Sequence, residues 1–150
     1  MDLTGKVVLV VEDDPSVAEN NMACIKETGA SVSSTDQVNA ALRIVKGRAV
    51  DVVMTDFHLK DGDASELVAG LEAYEESPGV VVLGAAGEEK MKELGKYACV
   101  QEVLTKPVDR TALQKSVENV ARASGQSSRL SPKLISAEER RKILDEMMDI

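Results

Sequence analysis

Three groups of charged residues in this sequence could do chemistry together: the acidic run Glu12-Asp13-Asp14, the single Asp56, and Lys106 followed by Pro107. Each closes a short Val-rich run, respectively Lys6–Val11, Val50–Thr55 and Val100–Leu104. Carboxylates gathered at one point repel one another unless a cation neutralises them. Oxygen ligands of this kind suit Mg²⁺, which takes one or two carboxylates directly and keeps several waters. A lysine facing them would hold an anion on that metal. Phosphoryl transfer needs this set: a carboxylate to accept the group, a metal to neutralise its oxygens and an ammonium to hold the product.

For the three groups to meet, the runs before them must be neighbouring strands of one sheet, with the charged residues at their carboxyl ends. A further run, Val80–Leu83, and a weaker strand, Ser31–Ser34, complete five strands. Short, nearly continuous apolar runs are how buried parallel strands read. Between and after them, helical spacing covers Ser16–Thr28, Val38–Lys46, Ser65–Tyr74, Glu88–Tyr97 and Thr111–Ala123, with Gly29 as the stop of the first helix. A (βα) unit repeated five times predicts an α/β doubly wound parallel five-stranded sheet with helices on both faces. In such sheets ligands bind outside the carboxyl ends of the strands, near the switch in strand order. That is where these residues fall.

Composition narrows the partners. The chain has 150 residues and a formal net charge of -8, enough length for one domain that buries a core without disulfides. Cys24 and Cys99 sit in apolar stretches without CxxC spacing and read as buried free thiols. No basic stripe offers counterion release to nucleic acid, and no aromatic platform offers base stacking. The longest apolar run, Val7–Val11, is far short of the roughly 20 residues a bilayer span needs, and no signal-peptide pattern precedes it. The expectation is a cytoplasmic protein with no nucleic-acid or membrane contact.

From Lys6 to about Ala123 the chain resembles the receiver domain of two-component response regulators. The resemblance rests on Glu12-Asp13-Asp14 after strand one, Asp56 after Val53-Met54-Thr55, Asp61-Gly62 shortly after it, and Lys106-Pro107. It implies a flavodoxin-like (CheY-like) fold with Asp56 as phospho-acceptor. Asp13 and Asp14 would serve Mg²⁺ together with Asp56 and the His58 backbone carbonyl, and Lys106 would contact the phosphoryl group. The Lys106–Pro107 bond would be cis. A histidine kinase or phosphotransfer protein would be the donor in a phosphorelay, and a downstream protein the target. Catalysis would extend no further than the chain's own phosphorylation and dephosphorylation.

Two positions depart from that pattern. Gly84, in Leu83-Gly84-Ala85-Ala86, stands where the family has a Ser or Thr hydroxyl for the phosphoryl oxygen, and Val103 stands where it has the switch aromatic. Backbone N–H groups at Gly84 and Ala85 remain to receive those oxygens, and the missing side chain leaves room for water. Lys60 replaces a common proline. Asp13 and Asp14 also have the right types to cap the helix that opens at Pro15. The departures keep a second reading open, a pseudo-receiver that binds protein without phosphorylation. A metal-dependent aspartyl phosphatase is a weaker third, since His58 stands where that chemistry wants a second acid.

Residues 1–123 carry 13 basic and 21 acidic side chains, so the acidity belongs to the domain; residues 124–150 carry five of each. Residues 124–135, rich in Ser with one Gly and one Pro, read as a linker. Residues 136–150 read as an amphipathic helix, capped by Ser136 and Glu139, with Ile143, Leu144, Met147 and Met148 on one face. That stripe would pack on the domain, on a second copy in a homodimer, or on a partner protein.

Overall fold

The computed structural model describes residues 2–74 and 77–128. Along the chain run β1 (Val7–Val11), α1 (Pro15–Lys26), β2 (Ser31–Thr35), α2 (Val38–Gly47) and β3 (Val52–Asp56). Two-residue strands β4 (His58–Leu59) and β5 (Gly62–Asp63) follow, then α3 (Ala64–Glu72), β6 (Gly79–Gly84), a 3₁₀ helix (Glu89–Lys96), β7 (Val100–Thr105) and α4 (Arg110–Ser128). The residues 129–150, with most of the expected linker and the amphipathic helix, lie outside the described residues.

The main sheet is parallel, in the order β2-β1-β3-β6-β7. This is the doubly wound architecture that the strand-helix alternation predicts. Strand order reverses direction at β1, between β2 and β3, so a crevice opens at their carboxyl ends. Side-chain alternation divides the core into two layers. Leu9, Val11, Val53, Val80 and Val82 pack with α2, α3 and the 3₁₀ helix. Val8, Val10, Val52, Met54, Val81 and Leu83 pack with α1 and α4. The central strands are hydrophobic on both faces because both are covered. Burial of those side chains, at about 25 cal/mol per Å² of apolar surface, supplies the driving force.

Three elements differ from their sequence expectations. The segment expected as a fourth helix over Glu88–Tyr97 is a 3₁₀ helix over Glu89–Lys96. Its apolar residues Met91, Leu94 and Tyr97 repeat every three positions, and the three-residue turn of a 3₁₀ helix stacks them on one line. β7 is an edge strand in which half-buried and exposed residues alternate. Glu102 and Leu104 face α4, where Glu102 accepts from Ser116 Oγ (2.5 Å) and Asn119 Nδ2 (3.2 Å), while Val103 stands 41% exposed on the opposite face. The last helix, expected to stop at Ala123, runs on to Ser128, so the first residues assigned to the linker are helical.

The first helix ends at Lys26, short of the expected Thr28, and the turn that follows it closes at Gly29. Gly29 has φ +95, a conformation in which a side chain would also strike Thr4. Cys24 and Cys99 are buried free thiols, as expected. No helix among the described residues is long and apolar enough to cross a membrane.

Candidate functional site

The acidic run emerges where β1 gives way to α1. Pro15 occupies the first helical turn, which makes Asp14 the N-cap. Its Oδ1 accepts from the N–H groups of Ser16 (2.9 Å) and Val17 (3.3 Å), satisfying donors that the helix leaves unpaired. Asp14, expected to join Asp13 as the metal-binding pair, is engaged in capping, while Glu12 stands with Asp13 and Asp56 in the carboxylate cluster. Ligand oxygens of Glu12, Asp13 and Asp56 all lie within 4.8 Å of one another. Pro15 was the signal in the sequence that could have found this, because it fixes the N-cap and leaves the two preceding residues free to face the sheet.

Glu12 and Asp56 are buried and Asp13 is exposed, so the cluster opens to solvent on one side. Glu12 Oε2 accepts from the Asp14 N–H at 3.1 Å, but Oε1 is buried with no hydrogen-bond partner. Burial pushes the Glu12 carboxyl up to about 7, an increase that the Asp14 N–H opposes and the Asp56 charge reinforces. A buried, unsatisfied carboxylate oxygen facing two more carboxylates fits a hard divalent cation such as Mg²⁺. These residues fit the metal that the sequence implies.

Asp56 ends β3, and Lys106 follows β7 across β6. The Lys106 ammonium forms an ion pair with Asp56 Oδ1, and the Lys106 N–H donates to the Gly84 carbonyl at 2.8 Å. The Lys106–Pro107 bond is cis, as expected. After Asp56 the chain makes the β4–β5 hairpin, which side chains tie down on two sides. Asp61 accepts from the N–H groups of Val38 (2.6 Å) and Asn39 (3.2 Å), and those hydrogen bonds hold its carboxyl below the usual range. It thus caps α2, whose own N-cap residue Gln37 makes no side-chain cap. Lys60 pairs with Asp36 at 3.1 Å. His58, with its side chain largely exposed, pairs through Nε2 with Glu88 Oε1 at 3.0 Å. Neither the Asp61 cap nor the Glu88 partner follows from local sequence, because each joins residues more than 20 positions apart.

Gly84 is buried at the end of β6 and Ala85 is exposed just beyond it. The expected room for water at position 84 is not there. A β-carbon built on Gly84 would lie 1.8 Å from Met91 Sδ, so the Met91 side chain fills that volume. Sequence reading missed Met91, since nothing local joins it to Gly84. Val103, expected at the position of the switch aromatic, faces outward from β7. Beside the site, a largely apolar cleft of about 510 Å³ runs between α1 and the start of α4, lined by Val17, Leu83, Ala85, Lys106, Pro107 and Leu113.

The family model of the response regulator receiver domain matches residues 8–118. The transcriptional regulatory protein GlrR of Escherichia coli is 26% identical over 117 residues, covering 78% of this chain and 26% of that protein. MalR of Bacillus subtilis is 29% identical over 120 residues, covering 77% of this chain and 50% of that protein. The chain therefore spans about a quarter and about half of these relatives. Among solved structures, the receiver domain of a sensor histidine kinase from Pseudomonas aeruginosa PAO1, with a magnesium ion coordinated in its active-site cleft, has a TM-score of 0.70 at 21% identity. It covers 79% of this chain and 98% of that one. A CheY-like receiver domain from Methylobacillus flagellatus has a TM-score of 0.69 at 24% identity, with coverage of 77% and 98%. These two structures share the fold. A family match of this extent, on a sheet with this strand order, makes the chain a member of the response regulator receiver domain family, the signalling modules of two-component systems.

Proposed function

We propose that this chain is a phospho-accepting receiver that takes a phosphoryl group on Asp56. The observation that carries the reading is the Lys106–Asp56 ion pair set beside Glu12 and Asp13. In the transfer an Asp56 carboxylate oxygen attacks phosphorus, the bond from phosphorus to the donor nitrogen breaks, and the departing imidazole keeps its electron pair and takes up a proton. The Lys106 ammonium, held by Asp56 before transfer, stays at hydrogen-bonding range of the new phosphoryl oxygens. Glu12, Asp13 and Asp56, with the His58 backbone carbonyl, would hold Mg²⁺. When bound, that ion supplies charge neutralisation for the phosphoryl oxygens. Backbone N–H groups at Gly84 and Ala85 receive oxygens in place of the missing hydroxyl.

The donor class is a histidine kinase or a phosphotransfer protein, and the output is contact with a downstream protein in the cytoplasm. The exposed face of β7 with its flanking helices is the surface for that contact. A homodimer, with the 143–148 stripe of one copy on the other, is a further arrangement. A second reading, a binding module independent of phosphorylation, is favoured by Gly84 and by the outward Val103. Intact-protein mass after incubation with a small phosphodonor and Mg²⁺ separates them. Gain of one phosphoryl group, abolished by chelator, is expected. Absence of any gain, from the small donor and again from a phosphorylated donor protein, would favour the binding module.

A further inference from the structure

The volume that a side chain at position 84 would occupy belongs to another element. Met91 Sδ lies 1.8 Å and Met91 Cε 2.8 Å from where a Gly84 β-carbon would stand. Met91 is itself buried, at 8% exposure, and comes from the 3₁₀ helix. Gly84 follows Leu83, whose Cα pairs with that of Asp56 across the β3–β6 ladder. The thioether is thus lodged at the end of the strand next to the acceptor, and neighbouring strands lie about 4.8 Å apart.

A second tie reaches the same segment. Glu88, the residue before the 3₁₀ helix, pairs with His58, two residues after Asp56. The segment therefore touches both loops beside the acceptor, one through Met91 and one through Glu88. It is held on the core by Leu94, fully buried, with the half-buried Tyr97 just beyond its end. The 3₁₀ hydrogen-bond geometry is poorer than that of an α-helix, so few interactions must break for this element to move.

We propose that Met91 stands in for the missing side chain at position 84, so that a phosphoryl group on Asp56 displaces its thioether and shifts the Glu89–Lys96 segment. The inference rests on Asp56 being the acceptor. A phosphoryl group brings concentrated negative charge and acceptor oxygens. A thioether has no proton to donate to them, so its place beside Gly84 becomes unfavourable when the charge arrives. Three rotatable bonds let the methionine turn away without moving β6. Because Met91 belongs to the segment that responds, the signal needs no aromatic ring at Val103.

The test uses the whole chain labelled with ¹³C at the methionine methyl groups, with the Met91 resonance assigned by Met91→Leu. Phosphodonor and Mg²⁺ are added, and each sample is also weighed intact. A sample carrying the phosphoryl group is expected to show a shifted Met91 methyl and faster amide hydrogen exchange over 89–96, with the Met22 methyl unmoved. Gly84→Ala, which places a β-carbon directly against the thioether, is expected to give the same shift and the same faster exchange with no donor present. In Met91→Ala the phosphoryl group is gained but exchange over 89–96 no longer responds to it. A sample that gains the group while the Met91 methyl and the exchange stay unchanged overturns the proposal and leaves Asp56 as acceptor. A sample that never gains the group overturns the acceptor reading itself. Gly84→Ala with unaltered exchange over 89–96 refutes the coupling of Met91 to that segment independently of phosphorylation.

Discussion

Glu12 gives the site a stability signature of its own. Burial raises its carboxyl from an ordinary 4.5 to about 7 in the metal-free protein. Because the folded value lies above the unfolded one, the contribution to stability is fully present below about pH 4.5. It is lost as the pH rises through about 7, where the folded protein must ionise a carboxylate in a buried place. The difference between those values corresponds to about 3 kcal/mol. Glu12→Gln removes the ionisation while keeping the shape, so the variant gains stability relative to the native chain by about that amount between pH 4.5 and pH 8. Urea denaturation in the presence of chelator, run for both proteins across that range, measures the difference at each pH. Mg²⁺ should close the gap at high pH, since a cation stabilises the ionised form of the native chain and finds a poorer ligand in the variant. A stability difference that does not change with pH in chelator would refute the assignment of Glu12 as a buried, unsatisfied member of the cluster.

Asp61→Ala removes the carboxylate that caps α2 from the neighbouring hairpin, and should lower Tm modestly while leaving phosphoryl gain intact. The hydrogen bonds that depress its pKa also make this contribution one that is present above its ordinary value of 3.8 and lost as the pH falls; equal acid unfolding of variant and native chain would contradict the cap. Burial pushes the Cys99 thiol up to about 12 and raises that of Cys24, so neither should react with a thiol reagent at pH 8 until denaturant is added. Rapid labelling of the native chain at either cysteine would show that its side of the core is open.

Much of the fold could be read from the sequence because the strands of its main sheet, apart from the Ser-rich β2, lie in Val-rich runs with few polar interruptions. Such runs fit only a sheet covered on both faces, and the acidic and basic residues that close them had to converge at one edge. The fourth helix misled because Met91, Leu94 and Tyr97 satisfy helical spacing while repeating in threes, a pattern that a 3₁₀ helix meets as well. In β7 the exposed Gln101 already marked a strand with one uncovered face, whereas Glu102 lies on the face toward α4. At the site, Asp56 and Lys106 were legible as strand-end residues. The place of Glu12 beside Asp13 and Asp56 was not singled out, although Pro15 marks Asp14 as the capping residue. Met91 beside Gly84, Glu88 beside His58 and Asp61 at the start of α2 were not legible. Each is a meeting of separate elements that depends on how they pack, which local pattern does not encode.

The most direct measurement is the chemical position of the phosphoryl group. After incubation with phosphodonor and Mg²⁺, borohydride reduces an aspartyl phosphate to homoserine, and peptide mass then locates the altered residue. Conversion at Asp56 alone is the predicted result, with none in Asp56→Asn or in the presence of chelator. Conversion at Glu12 or Asp13, or none at Asp56 in a chain whose intact mass shows the added group, would contradict Asp56 as the acceptor.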